Sequence, residues 1–175
     1  DATIEKKEEK TNLKRETKEF EAPATAVPEQ YFPPCIINIL KGLPDGKKRS
    51  LFVMTNFLSS CGWNYEQMEK YLTEWNKKNP EPLREVYIMG QLKYYHQQNK
   101  KILPPNCANA QYYKDLHICT PDNFCSRIKN PANYALLKQK IIASENERNN
   151  SKKWKKEYLN AMENVKEKQI PADRD

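Results

Sequence analysis

The sequence predicts a mostly α-helical domain with little or no sheet, and three observations predict it. Apolar residues recur at three- and four-residue steps in five separate stretches, proline, glycine and capping residues mark the ends of those stretches, and no stretch alternates with period two. The first is CIINILKGL. Pro33 and Pro34 precede it, where a first helical turn tolerates proline, and Gly42 stands near its end. RSLFVMTNFLSSCGW follows, with Leu51, Met54, Phe57, Leu58 and Cys61 on one face and Gly62 as terminator. Asn64 and Gln67 have capping-box spacing at the head of NYEQMEKYLTEWNKK, which lines up Met68, Tyr71, Leu72 and Trp75. Pro80 and Pro82 then break the chain. PLREVYIMGQLKYYHQQN carries Leu83, Tyr87, Ile88, Leu92 and Tyr95, and NPANYALLKQKII starts a further helix at Pro131.

At 175 residues the chain suits one core with polar ends. Residues 1–30 mix six basic and eight acidic side chains with few large apolar ones and end in Pro23 and Pro28, so they are expected to form a disordered leader or linker. Residues 31–143 are the expected domain and hold the positive charge, sixteen basic against eight acidic side chains. Residues 144–175 are a polar extension, helical or disordered, in which Trp154, Tyr158, Leu159, Met162 and Val165 recur at helical steps as a stripe that could seek a partner. Nowhere does the chain approach the ~18 consecutive apolar residues of a membrane span, so no membrane role is expected.

Five cysteines without a secretory signal are a poor disulfide framework, because an odd count leaves one over. Cys107, Cys119 and Cys125 fall within nineteen positions, separated by eleven and five residues. Pro104-Pro105 precedes the first and Thr120-Pro121 follows the second; Cys35 also follows a proline pair. Thiolates from two distant segments suit a closed four-coordinate site that pins the first helix to the last. Structural zinc commonly uses close C-x2-C pairs, and this chain has none, which counts against zinc without removing it. Buried free thiols are the plain alternative, and spacing alone leaves metal and burial equally open. Cys61, on an apolar helical face beside Phe57 and Leu58, reads as a buried noncoordinating thiol.

PPCIINIL, the helix containing Arg49, FLSSCGW, NPEPLREVYIMGQL, LPPNCANAQYY, the Cys119 to Cys125 loop and IKNPANYALLK, in that order, resemble the C-terminal domain of the archaeal and eukaryotic DNA primase large subunit. The resemblance covers about residues 31–143. It implies a compact helical domain clasped by a 4Fe-4S cluster, with Cys35, Cys107, Cys119 and Cys125 at the ligand positions and zinc as the runner-up. It further implies a non-catalytic regulatory role in priming DNA replication. The partners would be the small, catalytic primase chain, the template DNA and the 5' triphosphate end of the RNA primer. The location would be intracellular, at the nucleoid if the source is archaeal.

Basic residues supply two candidate contact surfaces. Lys47, Lys48 and Arg49 open a helix after Pro44-Asp45-Gly46, where amides and helix dipole add to side-chain charge. Arg49 matches the arginine that recurs in the family, and the two lysines depart from its pattern. Arg84, Lys93 and Tyr94, with Tyr87, Gln91 and His96 nearby, interleave charge with rings, as a single-stranded template requires; Tyr87, Leu92 and Tyr95 could equally be core. Asp115 and Asp122 read as a turn acid and a helix cap, and neither His96 nor His117 has a nucleophilic partner, so catalysis in this chain is not expected. The competing reading is a zinc-stabilised helical module that binds nucleic acid or protein without a part in priming.

Overall fold

The computed structural model describes residues 20–98 and 101–169. Among them are five α-helices, four short 3-10 turns and no strand. The helices are α1 (Pro34–Leu40), α2 (Lys47–Ser60), α3 (Tyr65–Lys77), α4 (Glu85–Gln97) and α5 (Pro131–Lys168), one for each periodic stretch.

Helix α2 is the axis of the body. All but one of the residues from Ser50 to Ser60 are buried, and α3, α4 and the first turns of α5 pack around it. Leu51, Met54, Phe57, Leu58 and Cys61 are fully enclosed, with Ile36 and Ile39 of α1, Leu72 of α3, and Ile88 and Leu92 of α4. Burying each such side chain is worth about 1.5–3 kcal/mol. Phe57 meets Phe32 edge-to-face at 4.8 Å, and the buried Trp75 indole donates to the Ile39 carbonyl at 2.8 Å, so α3 is tied to the end of α1. Asn64 and Gln67 form the expected reciprocal capping box. At the other end of α2, Trp63 and Gly62 donate back to the Leu58 and Ser59 carbonyls, the pattern of a Schellman stop.

Gly62 also explains why part of the expected leader is packed. Its φ is +83°, and a Cβ there would lie 2.7 Å from the Pro23 carbonyl oxygen and 2.8 Å from that of Thr25. The chain over 23–27 lies directly on this glycine. Val27 is fully buried, its amide donates to the Cys61 carbonyl at 2.8 Å, and its carbonyl accepts from the Trp63 indole. The final third of the leader expected over 1–30 is thus held to the body at Val27, whose apolar side chain the charged average of the segment concealed. Residues 1–19 of that expectation lie outside the described residues.

The extension expected from 144 continues α5 without a break to Lys168. Pro131, Ala132, Tyr134 and Ala135 are buried, whereas every residue from 143 to 169 is exposed. At 38 residues the helix is about 57 Å long. No described helix is long and apolar enough to cross a membrane.

Candidate metal centre and nucleic-acid interface

Cys35 sits in the first turn of α1, and Cys107, Cys119 and Cys125 come from the irregular segment between α4 and α5. All four line one cavity of about 420 Å³, walled by Pro33, Pro34, Ile128 and Pro131. Cys61 does not line it and packs in the body, where burial pushes its thiol up to about 12. Burial also raises the Cys35 thiol, and the neighbouring Cys107 adds to the effect, with Cys119 and Cys125 contributing less. Cys107 is raised by burial and then by Cys119 and Cys125. Thiols that hinder one another's ionisation form a donor set whose repulsion a bound cation relieves. Among the described residues no three His, Cys, Asp or Glu side chains are set to hold a metal ion.

Polar side chains hold these segments in place of regular secondary structure. The Cys107 amide donates to the Lys129 carbonyl at 2.9 Å, closing the segment on itself. Asn130, 2% exposed, caps α5 by accepting from the Ala132 amide, while its Nδ2 donates to the Pro104 carbonyl at 2.7 Å and to Asn106 at 3.0 Å. Asp122 is the cap that its position suggested: one carboxylate oxygen accepts from the amides of Phe124 and Cys125, both at 3.0 Å, and the other from the Tyr134 hydroxyl at 2.6 Å. Burial works against the Asp122 charge, yet the bonds from Tyr134 and Cys125 hold its carboxyl below the usual range. From α1, Asn38 donates to the Ile118 carbonyl and the Thr120 hydroxyl.

The start of α2 lies against the loop between Cys107 and Cys119. Gly46, the N-cap at φ +75°, lies under the tip of the Leu116 side chain, which a Cβ there would displace. One turn on, the Arg49 guanidinium donates to the Gln111 carbonyl at 2.8 Å, and Phe52 packs against Tyr112 with centroids 5.8 Å apart. No side chain caps α2, and its first turn carries Lys47, Lys48 and Arg49 with no acid. Each such charge at the positive end of a helix costs about 0.3–1 kcal/mol, which the Asp45 carboxylate, accepting from the Gly46 amide at 2.8 Å beside the same depression, offsets in part. The three are not equivalent. Lys47 is half-buried and donates to the Glu81 carbonyl, Lys48 lies 5.0 Å from the centre of the Tyr87 ring, and Arg49 is exposed.

Those contacts join the two expected surfaces. A depression of about 300 Å³ beside Lys47, Lys48 and Arg49 shares the Lys48 to Tyr87 contact with a neighbouring one of about 400 Å³ lined by Arg84, Tyr87 and Gln91. Gln91 also lines a groove between α2 and α4 bounded by Phe52, Tyr94 and Ile102. Tyr94 is 64% exposed and Phe52 42%. Lys93 is exposed but lines none of these hollows; at 3.6 residues per turn it is displaced by about 200° from Gln91 around the helix. Tyr95 turns inward and donates to the Ser59 hydroxyl, and His96 is exposed against Tyr65. Sequence reasoning missed Phe52, Tyr112 and Gln111, the last because it acts through a backbone carbonyl that its side chain does not announce.

The family model for the C-terminal domain of the large subunit of eukaryotic and archaeal DNA primase matches residues 25–171. The chain belongs to this family. The primase match begins at Thr25, within the chain that packs on Gly62, and ends beyond the last turn of α5, so Val27 and the whole of α5 lie inside it. No curated protein and no solved structure gives a match.

Proposed function

We propose that this chain is the non-catalytic regulatory domain of a DNA primase, holding template DNA and the 5' triphosphate end of the RNA primer while a separate catalytic chain extends the 3' end. The observation that carries the reading is the seat of the α2 N-terminus: three cations at an uncapped positive helix end, resting on the loop between two cysteines. Arg49 is the principal triphosphate contact, with Lys48 beside it. Arg84, Tyr87, Gln91 and Tyr94 continue the path toward Phe52, giving phosphates a cation and bases a ring. Lys93 contributes only long-range charge. The work is done inside the cell, in complex with the catalytic subunit.

Cys35, Cys107, Cys119 and Cys125 would hold a 4Fe-4S cluster. Four thiols sharing one cavity are the donor set such a cluster takes, and zinc is the runner-up. The cluster supplies no chemistry to the primer; bound, it converts metal affinity into folding energy for the loop that seats Arg49. Anaerobically prepared protein is expected to be brown and to contain about four irons per chain; one zinc per chain and no iron would replace this assignment with the zinc module.

Arg49→Glu in the assembled primase tests the functional reading. Initiation and the preference for a 5' triphosphate are both expected to fall, and the salt dependence of binding to become shallower by about one phosphate contact. Unchanged initiation with unchanged triphosphate preference would sink it.

A further inference from the structure

We propose that Asn38 is a positioning residue for the four-cysteine site, holding the Cys119 segment in register with Cys35; the inference rests on the reading that these cysteines share one bound group. Asn38 lies three residues after Cys35 in α1, so both project from one face of that helix. Its Nδ2 donates to the Ile118 carbonyl at 2.9 Å and to the Thr120 hydroxyl at 2.8 Å. These are the residues on either side of Cys119. Both amide protons are thereby spent on one segment, and Oδ1 accepts from Lys41 at 3.2 Å.

The other two loop cysteines are placed differently. Cys107 is anchored by its own amide to Lys129, and Cys125 by its amide to the Asp122 cap. Among the described residues Cys119 makes no backbone bond of its own, and the segment over 118–122 belongs to no helix. Ile118 is also held by its buried side chain and by its amide's bond to the Tyr113 carbonyl, and the Asn38 amide is the tie that links this segment to the helix carrying Cys35. A shift of this segment moves a donor sulfur, whereas the fold of the body can absorb it.

Asn76 provides the comparison that separates positioning from simple stapling. It makes the same kind of clamp, donating to the Leu83 carbonyl and accepting from the Leu83 amide, both at 2.8 Å, but the residue it clamps flanks none of the four cysteines. Asn38→Ala, Asn38→Asp and Asn76→Ala would be made in the full chain; Asn38→Asp keeps the side-chain volume should Asn38→Ala fail to fold. Bleaching of visible absorbance by a chelator would be followed in anaerobic protein, and alkylation of Cys119 relative to Cys61 in metal-free protein. Both Asn38 variants are expected to bleach about tenfold faster or more and to alkylate faster at Cys119, while Asn76→Ala lowers stability and leaves both rates unchanged. Equal rates in the Asn38 variants and the wild type, or equal acceleration by Asn76→Ala, would overturn the proposal. Wild-type protein without iron would remove the cluster reading instead, and the alkylation contrast would still decide for or against Asn38.

Discussion

The body made by α2, α3 and α4 and the segment running from Leu103 to Asn130 are held together by different forces. In the body, apolar side chains at helical spacing fill a continuous core, and backbone groups satisfy one another inside the helices. The cysteine segment has only three short 3-10 turns and encloses few side chains, Tyr113 and Ile118 among them; its backbone is tied down by side-chain bonds from Asn38, Asn130 and Asp122. Such a segment is expected to open more readily than the body. The difference assigns two tasks to two regions. The body supplies a rigid α2, and the cysteine segment supplies the surface on which the first turn of α2 is presented.

Three changes would break or sharpen that contrast. Phe57→Ala, at a fully buried ring packed on Phe32, is expected to cost about 3–5 kcal/mol and to unfold body and segment together. Denaturant melts followed by circular dichroism check it; a loss confined to the cysteine segment would mean that the two regions fold independently. Asn130→Ala removes the cap of α5 and leaves the Pro104 carbonyl unpaired, at an expected cost of about 1–3 kcal/mol. Hydrogen exchange should rise over residues 103–130 while α3 stays protected. Trp154→Ala, on the exposed part of α5, should change the stability of the isolated chain by less than about 0.5 kcal/mol. A larger shift in its thermal melt would show that the exposed stripe folds back on the body or pairs with another copy.

Much of this was legible beforehand, and for identifiable reasons. Helix positions followed from apolar spacing because one face of each helix must be buried, and their ends followed from Gly62, the Asn64 and Gln67 pair and Pro131, whose backbone preferences are local. Asp122 could be read as a cap because its two bonds to amides span three residues. Val27 could not be placed, since one valine in a charged stretch carries no period; its burial depends on Gly62, thirty-five positions away. Asn130 before Pro131 had the form of a cap and could have been found, and Asn38, three residues after Cys35, offered a weaker signal of the same kind.

By itself the sequence determined the helical class, the helices and their caps, and which cysteine stood apart, because propensity, periodicity and capping act over a few residues. Only the tertiary structure decided that Cys35, Cys107, Cys119 and Cys125 face one cavity, that Arg49 rests on the Gln111 carbonyl, and that Lys93 leaves the line of Arg84, Gln91 and Tyr94. Those placements depend on contacts between residues far apart in the chain. Such contacts are settled by how α1, α2 and the cysteine segment pack together, and no local pattern encodes that.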